Sequence, residues 1–136
     1  MSSALLLYKE GDTYEHSVLV TADTMHKFLE VSGDANPIHL DPAYAARHGF
    51  KANVVYGNFL GAMVSHVVGM KLPSKEVLLL RQSLDFRMPT FVGEEIALRA
   101  TVAGVSEAVG TVALKLSFKS SSGTEVCTGQ CLVKLL

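Results

Sequence analysis

The sequence predicts an α+β domain in which an antiparallel sheet wraps one central apolar helix. Three observations carry this. Gly57–Met70 is an apolar run interrupted only by Asn58, Ser65 and His66. Four strand-like runs, Glu76–Met88, Glu94–Val105, Gly110–Lys119 and Glu125–Leu135, follow it, rich in Val, Leu, Phe and Thr. Turn signals separate them: Pro89 to Gly93, Gly104 to Gly110, and Ser120-Ser121-Ser122-Gly123. With 136 residues, 49% hydrophobic and 18% charged, residues 1–136 suit a single core-rich domain.

In chain order, Tyr14–Val20 reads as a short strand and Thr21 as the N-cap of a helix over residues 22–32. That helix buries Met25, Phe28 and Leu29, with Ser32 at the edge of the same face. Gly33 supplies the positive φ that stops it. Residues 33–42 then form a rigid loop that is not helical, because Pro37 lacks an amide hydrogen and pushes Asn36 out of the helical region. Pro42–Arg47 begins a short helical turn with proline in its allowed first position. A second loop, Gly49–Asn53, leads to the apolar Val54-Val55-Tyr56. The helix from Gly57 to Met70 is ~21 Å long, too short to span a bilayer, so it is buried on most sides inside the protein. A curved sheet around it leaves an edge and an apolar surface, which predicts a dimer.

Composition narrows the function. A formal net charge of −1 gives no electrostatic case for nucleic acid or an anionic membrane. Cys127 and Cys131 lie four apart in a predicted strand, which separates them by about 13 Å, beyond disulfide reach. They also lack a second ligand pair for a metal, so they read as free thiols suited to the cytoplasm. No cofactor is called for. The start of the chain, Met-Ser-Ser-Ala-Leu-Leu-Leu-Tyr, lacks a basic segment and a long apolar one and does not read as a signal peptide.

The segment Ser-Gly-Asp-Ala-Asn-Pro-Ile-His, residues 32–39, carries the chemistry. It sets the carboxylate of Asp34 and the imidazole of His39 on one stiff loop, able to grip a water molecule and move its protons. Together with Phe28, Asp41-Pro42 and Ala45, it resembles the signature of the MaoC-like dehydratases, the (R)-specific enoyl-CoA hydratases. Tyr56-Gly57 at the start of the apolar helix resembles that family's His-Gly element. Ser65, eight residues after the glycine, stands where a functional serine of the family is expected, and Gln82–Phe86 with Pro89 and Gly93-Glu94 resembles its central strand and following turn.

The resemblance runs over residues 13–136 and implies a hot-dog fold and a homodimer with acyl-thioester tunnels near the interface. The implied reaction is reversible syn addition of water to a trans-2-enoyl thioester of CoA or an acyl carrier, giving the (R)-3-hydroxyacyl product. Asp34 and His39 are then the catalytic pair. The Gly57 N–H, at a helix N-terminus with free amides and partial positive charge, becomes the donor to the enolate oxygen. Asn36, Tyr56, Asn58 and Ser65 are assigned to the substrate pocket, Asn36 chiefly as a residue that stiffens the loop. Arg47, Lys51, Arg81 and Arg87 are candidates for phosphate contacts, while His66 reads as a packed core histidine and His48 as a surface residue. The chain departs from the family's pattern at Tyr56, often His, and at Asn58, usually apolar. Both make the pocket mouth more polar and place a short or functionalised acyl group beside a medium-chain one as substrate. Two rival classes remain, a hot-dog thioesterase and a non-catalytic acyl-thioester-binding subunit.

Overall fold

A computed structural model describes residues 3–136; Met1 and Ser2, which open the stretch read as free of a targeting signal, lie outside the described residues. A 3-10 turn, Ser3–Leu7, precedes strand β1 (Thr13–Leu19). Helices α1 (Ala22–Ser32), α2 (Pro37–Leu40), α3 (Pro42–Arg47) and α4 (Gly57–His66) follow, and a π-helical turn, Val67–Lys71, extends α4. Strands β2 (Val77–Phe86), β3 (Glu95–Ser106), β4 (Thr111–Lys119) and β5 (Glu125–Leu135) complete the chain. They form one sheet in the order β1-β3-β4-β5-β2, with each neighbouring pair antiparallel.

Period-two alternation puts one side chain in two against α4. Ile96, Leu98, Ala100 and Val102 of β3 are buried, as are Val112, Leu114, Leu116 and Phe118 of β4. They share one core with Leu60, Met63, Val64, Val67 and Val68 of the long helix. This is the hot-dog arrangement expected from the sequence. Cys127 and Cys131 belong to the same core, are unpaired, and burial pushes both thiols up to about 11.

Three expectations need correction. The 33–42 segment is not helix-free: Pro37 serves as the first residue of α2, since a missing amide hydrogen costs nothing in a first helical turn. Its effect on Asn36 is as expected, with ψ at 129°. Second, α4 is not buried on most sides. Asn58, Ala62, Ser65 and Gly69 recur at helical spacing and lie exposed, because the sheet of one chain covers only the opposite side. Third, Ser32 is exposed rather than on the buried face of α1, where Met25 is buried and Phe28 and Leu29 are half-buried.

Strand β2 is the other open feature. It pairs only with β5, at the end of the sheet, and a bulge breaks its register between Leu79 and Arg81. Leu78, Leu79, Leu80, Phe86 and Met88 are exposed along and just beyond it. Opposite, β2 approaches β5 so closely that a Cβ on Gly129 would stand 2.2 Å from the Ser83 carbonyl oxygen. Only glycine fits there.

Candidate active site

The site grows from the end of α1. Gly33 takes φ 71° and its N–H donates to the Leu29 carbonyl, stopping the helix where the sequence places the stop. A relay of short-range bonds then fixes the next turn. The Asp34 N–H donates to Ser32 Oγ at 3.1 Å, the Asn36 N–H to Asp34 Oδ1 at 3.0 Å, and the Ile38 N–H to Asn36 Oδ1 at 3.1 Å. These are side chains of the turn-forming type bonding backbone two residues away. Asp41 continues the pattern by accepting from the N–H groups of Ala43 and Tyr44 and so capping α3.

His39, in α2, turns its Nε2 toward Asp34 Oδ2 at 3.6 Å. Its Nδ1 lies 2.7 Å from the Val54 carbonyl oxygen. A carbonyl can only accept, so Nδ1 carries a proton, and Nε2 is the nitrogen that faces the carboxylate. Val54 is itself held by its N–H, which donates to the Ile38 carbonyl at 3.1 Å, and by a bridge to Phe91. The imidazole is 14% exposed and the carboxylate 46%, so the pair stands at a boundary, with the imidazole sheltered and the carboxylate open to water. At 3.6 Å the two groups are too far apart for a strong direct bond, and the separation leaves room for a water within about 2.8 Å of each.

Beside His39 lies a cavity of about 270 Å³ bounded by Gly57, Leu60, Phe86, Arg87 and Thr90. Gly57 is the first residue of α4, whose N-cap Tyr56 makes no side-chain capping bond. Free N–H groups and the positive end of the helix dipole therefore meet the cavity that contains His39. The Phe86 ring closes over Gly57, 3.2 Å from where a Cβ would stand.

Of the other predicted positions, Asn36 and Tyr56 touch this centre and Asn58 and Ser65 do not. Asn36 uses its side-chain oxygen within the turn. Tyr56 is 2% exposed, so it offers no phenol to a pocket mouth; its hydroxyl donates to the Asp34 backbone carbonyl at 2.6 Å. Asn58 and Ser65 lie on the open side of α4 and do not bound the cavity. His66 is not in the core, being exposed and stacked on His16 with ring centroids 3.8 Å apart. His48 is exposed, as expected. Of the cationic candidates, Arg87 bounds the cavity and donates to Thr128 Oγ1, Lys51 lies over the Phe91 ring, and Arg47 lies over that of Tyr44. A larger groove, about 560 Å³, runs along β2, β4 and β5 past Arg81, Ser83 and Lys115, and contains none of the predicted catalytic residues. Among the described residues no cluster of three or more His, Cys, Asp or Glu could hold a metal.

Sequence reasoning missed Val54, which acts through its backbone carbonyl and carries no side-chain signal, and the covering role of Phe86. Phe86 lies inside the matched central-strand run, so its position was marked although its contact with Gly57 was not.

Comparison with known proteins gives one family. The MaoC-like domain family matches residues 8–121. An (R)-specific enoyl-CoA hydratase of Aeromonas caviae is 37% identical over 108 residues, covering 79% of this chain and 81% of that protein. A 3-hydroxybutyryl-CoA dehydratase of Methylorubrum extorquens is 33% identical over 109 residues, covering 79% and 68%. The solved structure of the (R)-hydratase from A. caviae involved in PHA biosynthesis superposes over 100% of both chains, with a TM-score of 0.91 and 32% identity. The chain belongs to the MaoC-like domain family.

Proposed function

We propose that this protein is a hydro-lyase that adds water reversibly and syn to a trans-2-enoyl thioester of CoA or an acyl carrier, releasing the (R)-3-hydroxyacyl thioester. The observation that carries the reading is the approach of His39 Nε2 to Asp34 Oδ2, 3.6 Å, beside a cavity that also meets the Gly57 end of α4. Water held between the two side chains loses a proton to one of them as its oxygen bonds to the β carbon. The electron pair of the double bond moves toward the thioester carbonyl, whose oxygen becomes negative. The Gly57 N–H stabilises that oxygen, a contribution typically worth about 10²–10³-fold. Collapse of the enolate takes a proton from the same pair at the α carbon. Both new bonds then form on one face, and the pair's acid–base work is worth about 10²–10⁴-fold.

Asn58 and Ser65, on the open side of α4, are assigned to the acyl path, and Asn36 to holding the loop. The exposed leucines of edge strand β2 and that open side of α4 support a homodimer, since an unpaired edge is a template for a second strand. Two unpaired, buried thiols support a cytoplasmic setting. No helix among the described residues is long and apolar enough to cross a membrane.

A panel of trans-2-enoyl-CoA substrates of increasing chain length tests the reaction class. Loss of the enoyl absorbance without release of free thiol is expected, fastest for acyl groups that fit the cavity. Thiol release with the double bond intact would instead identify a thioesterase. No change with any member of the panel would leave only acyl binding.

A further inference from the structure

We propose that Tyr56 is a positioning residue that holds Asp34 and His39 in register for proton transfer, a role that rests on the reaction class proposed above. Both members of the pair touch this one side chain. The Tyr56 ring stacks on the His39 imidazole, with centroids 4.1 Å apart and planes 27° from parallel. Its hydroxyl donates to the backbone carbonyl of Asp34 at 2.6 Å. The opposite wall is Phe28 of α1, whose ring centroid lies 4.7 Å from that of Tyr56, and Phe59 of α4 packs edge-on to Phe28 at 6.4 Å.

The phenol is therefore clamped, and it clamps in turn. Burial, and then the Asp34 carboxylate, push its pKa up, so the hydroxyl keeps its proton and remains a donor. The two restraints on His39 are complementary. The Val54 carbonyl selects the tautomer and the in-plane direction of the ring, whereas the Tyr56 face blocks tilting of that plane. The two restraints on Asp34 divide in the same way: the Asn36 N–H holds the carboxylate and the Tyr56 hydroxyl holds the backbone beneath it. Tyr56 thereby joins α1, the 33–36 turn and the start of α4. Because Tyr56 is also the N-cap of α4, the same residue sets the distance between the acid–base pair and the Gly57 N–H. Misplacing reacting groups by about 1 Å can cost 10²-fold in rate.

The effects of the ring and the hydroxyl separate in two variants. Tyr56→Phe keeps the stack and removes the bond to Asp34; kcat is expected to fall about tenfold with KM within about twofold, as for loss of one buried hydrogen bond. Tyr56→Leu removes both; kcat is expected to fall about a hundredfold. A signal that does not depend on turnover accompanies them. The ¹⁵N shifts of His39 should report an Nδ1-protonated imidazole in the wild type and in Tyr56→Phe, and a tautomer mixture in Tyr56→Leu. If Tyr56→Leu does not fold, the Tyr56→Phe rate alone decides. Wild-type kcat in Tyr56→Phe, or an unchanged imidazole signal in folded Tyr56→Leu, overturns the positioning role. Should the wild type prove to have no hydratase activity, the reaction class fails instead, and the imidazole signal still decides whether Tyr56 orients His39.

Discussion

Asp34→Asn is expected to lower kcat for hydration of crotonyl-CoA by about 10²–10⁴-fold while leaving the melting temperature within a degree or two. The carboxylate is nearly half exposed, and its structural duty is to accept the Asn36 N–H through Oδ1, which an amide oxygen performs equally well. What the amide cannot do is take or return a proton beside His39 Nε2. His39→Gln should cost as much, for it removes the only sheltered base on the cavity wall. The double variant should be hardly worse than the worse single one, because two groups acting on the same water form a unit and their losses do not add. Steady-state rates at saturating substrate, with thermal melts of each variant, check all three. A tenfold or smaller loss in Asp34→Asn would remove the carboxylate from the proton path.

Gly129→Ala should be the most damaging single methyl group in the fold. Its Cβ would meet the Ser83 carbonyl oxygen at 2.2 Å and the Leu84 side chain at 2.8 Å. Gly129 pairs with Leu84 on one side and Leu116 on the other, so β5 cannot move away from β2 without losing its ladder with β4. Overpacking costs about 1–3 kcal/mol, and a collision with the backbone of a paired strand rather than a flexible side chain belongs at the upper end. A drop of roughly 10 °C in melting temperature is expected. Gly69→Ala is the contrast, since nothing lies within 4 Å of its added methyl and the change should stay within about 1 kcal/mol. Equal stability of the two alanine variants would mean that β2 and β5 are further apart than described.

The features legible in the sequence were those written in local pattern. Alternating Ile96, Leu98, Ala100 and Val102 announce a strand with one buried side, and Gly33 announces a helix stop. Asp34 and His39 were legible as a pair because proline and asparagine make the turn between them stiff. The exact form of that turn was not, since Pro37 forbids a preceding helix yet permits one to begin at its own position. The open side of α4 escaped for a different reason. Ala62, Gly69 and Met70 are as apolar as a core, and a run of apolar residues does not tell whether the cover is the same chain or another. Tyr56 was misplaced at the pocket mouth because a phenol is read from sequence as polar, whereas its ring is consumed by His39 and Phe28 and its hydroxyl by a backbone carbonyl. Long-range partners of that kind leave no trace in local spacing.

Protonation on one face is the most direct consequence of the proposed pairing of Asp34, in the turn after α1, with His39 in α2. Hydrating crotonyl-CoA in D₂O and reading the product by proton NMR tests it in a single experiment. One deuterium at the α carbon, syn to the new hydroxyl in an (R)-3-hydroxybutyryl product, is expected. Deuterium anti to the hydroxyl, or an (S) product, contradicts water activation and proton return by Asp34 and His39 together.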